Sequence, residues 1–251
     1  MIRSRTLNRT LGLLYASNNL SDFDLPPAPV NRDHLRGFRL KADADWADRL
    51  LGINQVNVTY SQGIQGLGSS ENNTGADVLT NLNLLSNPAG RVDFEKIEAT
   101  VSRTQPLFGA FSAFGSVYGQ YAFNPLLVPE QCGYGGRFFG RAFDPSQYIG
   151  DHCIEAITEL RYDLPKPKWL PSLTQVQLYG FGDYGKLWVL GPEFIDPATG
   201  GIAGNFAATS AGGGVRFAFW GDGVTADLSV AKAVHGIRED TRFFFIVGAK
   251  Y

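Results

Sequence analysis

Three carboxylates, Asp151, Glu155 and Glu159, stand in one short stretch of the chain. Carboxylates that close can run general acid–base chemistry or hold a hard cation. On a strand, however, Asp151, Cys153, Glu155, Ile157 and Glu159 share a face, about 6.6 Å per two residues. Beside Arg137, Arg141 and Arg161 they read as polar lining. Ser146 has no histidine and acid placed to activate it. His34, His152 and His235 are scattered, and Cys132 and Cys153 have neither CxxC nor zinc-site spacing. No HExxH, GxSxG or Walker A motif occurs, and no GxGxxG stands between a strand and a helix. The expectation is therefore no enzyme, no metal and no cofactor. The 22 basic and 24 acidic residues leave a net charge of -2, which excludes nucleic-acid binding through bulk charge. Arg141 has two readings: a solvated side chain on an outside loop, or a guanidinium turned inward onto a carboxylate.

The elements that must position these residues are strands. In the last segment, Phe243, Phe245, Val247, Ala249 and Tyr251 alternate with Arg242, Phe244, Ile246 and Lys250. Val176 and Leu178 alternate with Gln175, Gln177 and Tyr179, and Phe181 and Asp183 continue the polar set. Ile154, Ala156, Thr158, Leu160 and Tyr162 oppose Glu155, Glu159 and Arg161. The same period of two runs through 38–46, 56–61, 96–102, 111–123, 212–219 and 226–230, and less regularly through 6–18. About ten strands result, each roughly 9–15 residues long, against about 5–6 in soluble sheets and about 9–11 in membrane barrels. Gly at 30 of 251 residues, Phe at 18, Tyr at 10 and Met at 1 suit strands better than helices.

Short connections near 47–52, 106–109 and 221–223, with a longer one at 164–173, alternate with long ones near 21–33, 65–90, 125–150 and 190–208 and a smaller one at 235–240. One face of the strands is apolar and the other polar. Outer-membrane barrels have this organisation, with short periplasmic turns, long outside loops and a polar interior. No run of 18 apolar residues is present, so no transmembrane helix is expected, and no apolar h-region follows Met1-Ile2-Arg3-Ser4-Arg5. Trp46, Tyr60, Tyr121, Tyr162 and Tyr251 are candidates for the interfacial girdle. The alternative is a soluble sandwich or lipocalin-like barrel, with shorter strands and one face as a core.

The stretch YGGRFFGRAFDPSQYIGDHCIEAITEL, residues 134–160, resembles the two-partner secretion transporters, the haemolysin secretion/activation proteins. Their pattern of VRGF, six residues, GDxG and a following EL is met by Gly140-Arg141-Ala142-Phe143, then Gly150-Asp151-His152-Cys153, then Glu159-Leu160. The departures are Gly140 for Val, Ala142 for Gly and Cys153 for Gly. Phe181-Gly182-Asp183 matches a Phe-x-Asp motif on an inward strand, and the aromatic C-terminal strand carrying Phe243, Phe245 and Tyr251 matches the family's assembly signal. Five strands precede and five follow the motif loop, so the chain resembles strands seven to sixteen of a sixteen-stranded barrel, without POTRA domains, plug helix or the first six strands.

The resemblance implies an all-β, antiparallel transmembrane barrel portion spanning 1–251, in the bacterial outer membrane, with the long loop folded into the pore. It implies export of a secreted partner exoprotein, haemolysin- or haemagglutinin-like, driven by folding of the cargo outside. The other partners would be outer-membrane lipid and, through the C-terminal strand, the barrel-assembly machinery, with no nucleic acid. Arg141 would meet Asp183, with Phe143 and Phe181 packed around the pair and Asp151 and Glu155 as competitors. Cys132 and Cys153, each replacing another residue of the family pattern, would pair as opposite residues of a hairpin centred near the loop tip. The alternative is a self-closed ten-stranded outer-membrane pore or adhesin, whose first and last strands would join.

Overall fold

In the computed structural model, residues 7–24, 28–166, 169–191, 204–221, 223–236 and 241–250 are described. Ten strands form one antiparallel meander: β1 (Asn8–Asp24), β2 (Ala28–Ala47), β3 (Ile53–Gly63), β4 (Glu95–Pro106), β5 (Phe111–Ala122), β8 (His152–Asp163), β9 (Leu173–Trp188), β10 (Asn205–Phe219), β11 (Val224–His235) and β12 (Thr241–Ala249). Two further strands, β6 (Cys132–Tyr134) and β7 (Tyr148–Gly150), make a small hairpin inside the β5–β8 connection. β1 and β12 are the two ends of the sheet, and no pairing joins them among the described residues. This is the open, ten-stranded wall that the count around the motif loop predicts, not a self-closed barrel.

The burial of the wall is inverted relative to a water-soluble protein. Phe243, Phe245 and Val247 are 81%, 70% and 58% exposed, whereas Asp183 and Ser210 are 1% and 0% exposed. Leu11, Leu13, Leu40, Val101, Val117, Leu160, Leu178 and Leu228 continue the exposed apolar face. A strand of twelve residues at about 3.3 Å each reaches some 40 Å, enough to cross a tilted hydrocarbon layer of about 30 Å. From β2 to β11 each strand is paired with a neighbour on both sides, as hydrocarbon demands. Among the described residues no helix is long and apolar enough to cross a membrane.

One expectation about the connections changes. Residues 21–24 and 28–33 are strand rather than loop: β1 and β2 stay paired as far as Asp24 and Ala28, with a register shift at Asp22 and Phe23. The ladder uses backbone donors and acceptors only, so it can run on through polar residues beyond the apolar band. Of the girdle candidates, Tyr60 and Tyr121 stand near the long-loop ends of β3 and β5 and Trp46 and Tyr162 near the short-turn ends of β2 and β8. Tyr251 lies outside the described residues. The short turns add a rim that alternation could not reveal: Leu50, Leu51, Phe108, Trp169 and Trp220 are all exposed there.

The β2–β3 turn is closed by Asp48, whose carboxylate accepts from the amides of Leu50 and Gly52 at 2.9 and 3.0 Å and pairs with Arg103 of β4 at 2.5 Å. The Arg103 hydrogen bond, with help from Asn54 and the two amides, lowers the carboxyl from 3.8 to about 2. The folded value is the depressed one, so the contribution to stability is complete above the unfolded value and disappears as pH falls through about 2. Hydrogen exchange at the Leu50 and Gly52 amides should therefore accelerate between pH 3.8 and about 2. Asp48→Asn should remove that step; an unchanged profile in the variant would contradict the assignment.

Candidate functional site: a loop clamped to the inner wall

The connection from β5 to β8 turns inward and is packed by aromatic residues. Tyr134, Phe143 and Tyr148 are buried together, with ring centroids 5.5–6.4 Å apart. The Tyr134 ring fills a slot between two glycines. A Cβ on Gly140 would lie 2.6 Å from Cε1 of that ring, and one on Gly185 of β9 would lie 2.3 Å from Cδ2. Gly140 also has φ +74°, where a β-branched residue is strongly disfavoured. This explains glycine where the family pattern has valine: Tyr134 takes the space.

Gly140 presents the next residue to the wall. Arg141, 6% exposed, donates from Nη2 to Asp183 Oδ1 at 2.9 Å and from Nε to Oδ2 at 3.2 Å. Its backbone N–H adds a third bond to Oδ2 at 3.0 Å. Ser210 of β10 donates to the same oxygen at 3.0 Å. The guanidinium carbon stands 3.3 Å from the centroid of the Phe181 ring. The two-toothed fit of guanidinium to carboxylate, with an aromatic face behind, is a geometry that lysine does not reproduce.

Nη1 of Arg141 turns to Glu159 of β8 at 3.0 Å. Glu159 also receives Arg161 at 2.8 Å and Arg216 at 3.0 Å. Arg216 continues to Asp227 at 2.9 Å and stacks over Tyr179 at 3.7 Å. Arg141, Arg161 and Arg216 thus face Glu159, Asp183 and Asp227, three charges of each sign, which makes burial of the network tolerable.

The root of the loop is held separately. Glu130, 4% exposed, pairs with Lys96 of β4 at 3.1 Å and with Arg39 of β2 at 2.7 Å. Lys96 also donates to the Glu130 carbonyl at 2.8 Å and to Gln120 at 3.1 Å. At the other limb, Arg242 of β12 donates to the Ala142 carbonyl at 3.0 Å and pairs with Asp144 at 2.8 Å. The loop therefore touches the wall from β2 to β12, which means the sheet wraps around it.

Arg141, Phe181 and Asp183 are brought together, and Phe143 packs in the same buried cluster. Asp151 does not compete for the arginine: fully buried, it accepts from the amides of Leu126 at 2.7 Å and Leu190 at 2.6 Å and closes the corner where loop becomes β8. Glu155 likewise stays off Arg141; it lies beside Cys132 and Cys153, its ligand oxygen within 4.8 Å of their sulfurs. Glu159 is the second acceptor instead. Phe243 and Phe245 project outward from β12. Glu130, Lys96, Ser210 and Arg216 are site residues that sequence reasoning did not single out.

Cys132 and Cys153 are joined, with Cα atoms 6.4 Å apart, but not as opposite residues of a hairpin. In the β6–β7 pair Cys132 faces Gly150. Asp151 ends the hairpin there, and Cys153 is already in the wall. The bridge therefore ties loop to barrel. It closes a ring of 21 positions, a length for which loss of the cross-link costs about 3 kcal/mol. Reduction, or Cys132→Ser, should raise protease cleavage within 133–152 while the wall strands stay protected. Equal cleavage before and after reduction would mean that the polar contacts alone seat the loop.

A sheet apolar outside and polar inside, wrapped around a long loop clamped to its inner face, defines the wall and pore loop of a membrane β-barrel. The chain belongs to the haemolysin secretion/activation protein family ShlB/FhaC/HecB, whose model matches residues 31–207. That places it in the bacterial outer membrane. Among solved structures, CdiB from Escherichia coli has a similar fold, with a TM-score of 0.74 at 18% identity over 97% of this chain and 42% of that one. The chain thus spans less than half the length of that protein. No curated protein sequence matches it.

Proposed function

We propose that the chain forms part of an outer-membrane transporter that exports a partner exoprotein, haemolysin- or haemagglutinin-like, by two-partner secretion, and that the whole of 1–251 is one barrel portion. The observation that carries this is the loop seated by Arg141 on Asp183 and Glu159, in a chain of the ShlB/FhaC/HecB family. A neutral, fully hydrogen-bonded clamp can hold a plug in place and yet exchange its partners for water when the loop moves. Chemical catalysis, a cofactor or a nucleotide has no place in this reading. Lipid is met by the exposed apolar face, and the barrel-assembly machinery by the β12 strand with Phe243 and Phe245. The open ends of the sheet argue against a self-closed ten-stranded pore or adhesin.

Co-expression with a candidate exoprotein tests the reading. The exoprotein should reach the medium when the transporter carrying this chain is present and stay in the periplasm when residues 133–150 are deleted. Equal export with and without the transporter would refute it.

A further inference from the structure

Arg137 and Phe138 project from the loop tip into a cavity of about 440 Å³ on the inner side of the wall, within the roughly 300–1,000 Å³ range of ligand sites. Phe138 is 77% exposed and Arg137 is exposed beside it. The deeper arginines of the cavity are matched by Glu159, Asp183 and Asp227. Arg137 makes no ion pair among the described residues, and its guanidinium stands 5.9 Å from the Phe138 ring centroid. The cavity therefore carries one surplus positive charge next to an uncovered phenyl ring. Across from them, Phe114 and Tyr179 offer ring faces already backed by Arg161 and Arg216, at 4.5 and 3.7 Å.

Neither exposed side chain contributes to seating the loop, since every clamp lies elsewhere. Together they complement a carboxylate beside an aromatic group: the guanidinium fork takes two carboxylate oxygens and the ring takes a second ring by offset or edge contact. The 5.9 Å between them is close to the roughly 6.6 Å that separates side chains two residues apart on one face of an extended chain.

We propose that this cavity is a binding subsite for an extended polypeptide segment carrying an acidic residue two positions from an aromatic one, with Arg137 holding the carboxylate and Phe138 the ring. The inference rests on the transport reading and names the chemistry of the segment that the pore first meets.

The test uses the full chain in lipid nanodiscs and two fluorescein-labelled octapeptides, one containing Asp-Ser-Phe and the other Lys-Ser-Phe in the same place, followed by anisotropy. The Asp peptide should bind about fivefold more tightly, the size of an exposed ion pair. The preference should shrink near 1 M salt, where the screening length falls to about 3 Å. Arg137→Glu should reverse the preference, and Phe138→Ala should weaken both peptides alike. Equal affinity for the two peptides, or an unchanged preference in Arg137→Glu, would overturn the proposal. Export of a partner protein from cells scores the transport reading separately: export without peptide discrimination discards the subsite and leaves transport standing, and discrimination without export does the reverse.

Discussion

Arg141→Ala should stop secretion while the barrel still inserts. The substitution leaves Asp183 fully buried with Ser210 as its remaining side-chain donor, and it takes one of three guanidiniums from Glu159. Breaking a buried pair in this way costs about 3–5 kcal/mol. At about 1.4 kcal/mol per factor of ten, the seated loop loses at least two orders of magnitude in population. Arg141→Lys should rescue little, because an ammonium neither forks onto Asp183 nor stacks on Phe181. Asp183→Ala should resemble Arg141→Ala, and the double variant should be no worse than either single, since all three delete one interaction. Exoprotein in the medium, read against folded barrel in the membrane, decides the matter. Normal secretion by Arg141→Ala would remove the clamp from the mechanism.

Glu130→Ala should weaken the loop at its root by about 3 kcal/mol. Lys96 would remain buried with Glu98 as its one carboxylate among the described residues, at 3.5 Å, which places the loss at the lower end of the range for a broken buried pair. Thermal unfolding in detergent measures it as a lower transition temperature. Replacing both buried partners at once, Glu130→Leu with Lys96→Met, should recover most of the loss, because the charge left without its partner, Arg39, is 32% exposed and can turn to water. Glu130→Ala unfolding at the wild-type temperature would show that the disulfide and Asp151 suffice to hold the root.

The wall was legible because period two is forced by backbone geometry: Phe243, Phe245 and Val247 cannot leave the face they share. Arg141 and Asp183 were legible through their motifs, and Asp183 also through the alternation that puts it inside with Tyr179 and Phe181. Glu159 was visible as polar lining and in the EL of the motif, but not as a partner of Arg141, since nothing in a strand pattern says which of several inward carboxylates an arginine 18 positions away will choose. Glu130 and Lys96 are separated by 34 positions and belong to segments with no shared pattern, so only the fold brings them together. The cysteines met for a reason other than the one expected. A symmetric hairpin would have opposed Cys132 to Cys153, but the Asp151 corner diverts the chain into the wall after Gly150. The extent of β1 and β2 was missed because polar residues outside the membrane pair as readily as apolar ones within it.

The acceptors for Arg141 come from β8 and β9, and the hydroxyl that donates to Asp183 comes from β10; the three strands are neighbours in the sheet. Nothing from the far end of the sheet is needed to complete that seat. The tip can therefore dock while the sheet is still an open ribbon, long before any seam closes. In time rather than in space, this makes the loop an early passenger: short-range closure precedes long-range closure, as the entropy of joining distant segments favours. Asp183, Glu159 and Ser210 would then be covered from the moment their strands pair, and none of them would wait, unsatisfied, against lipid.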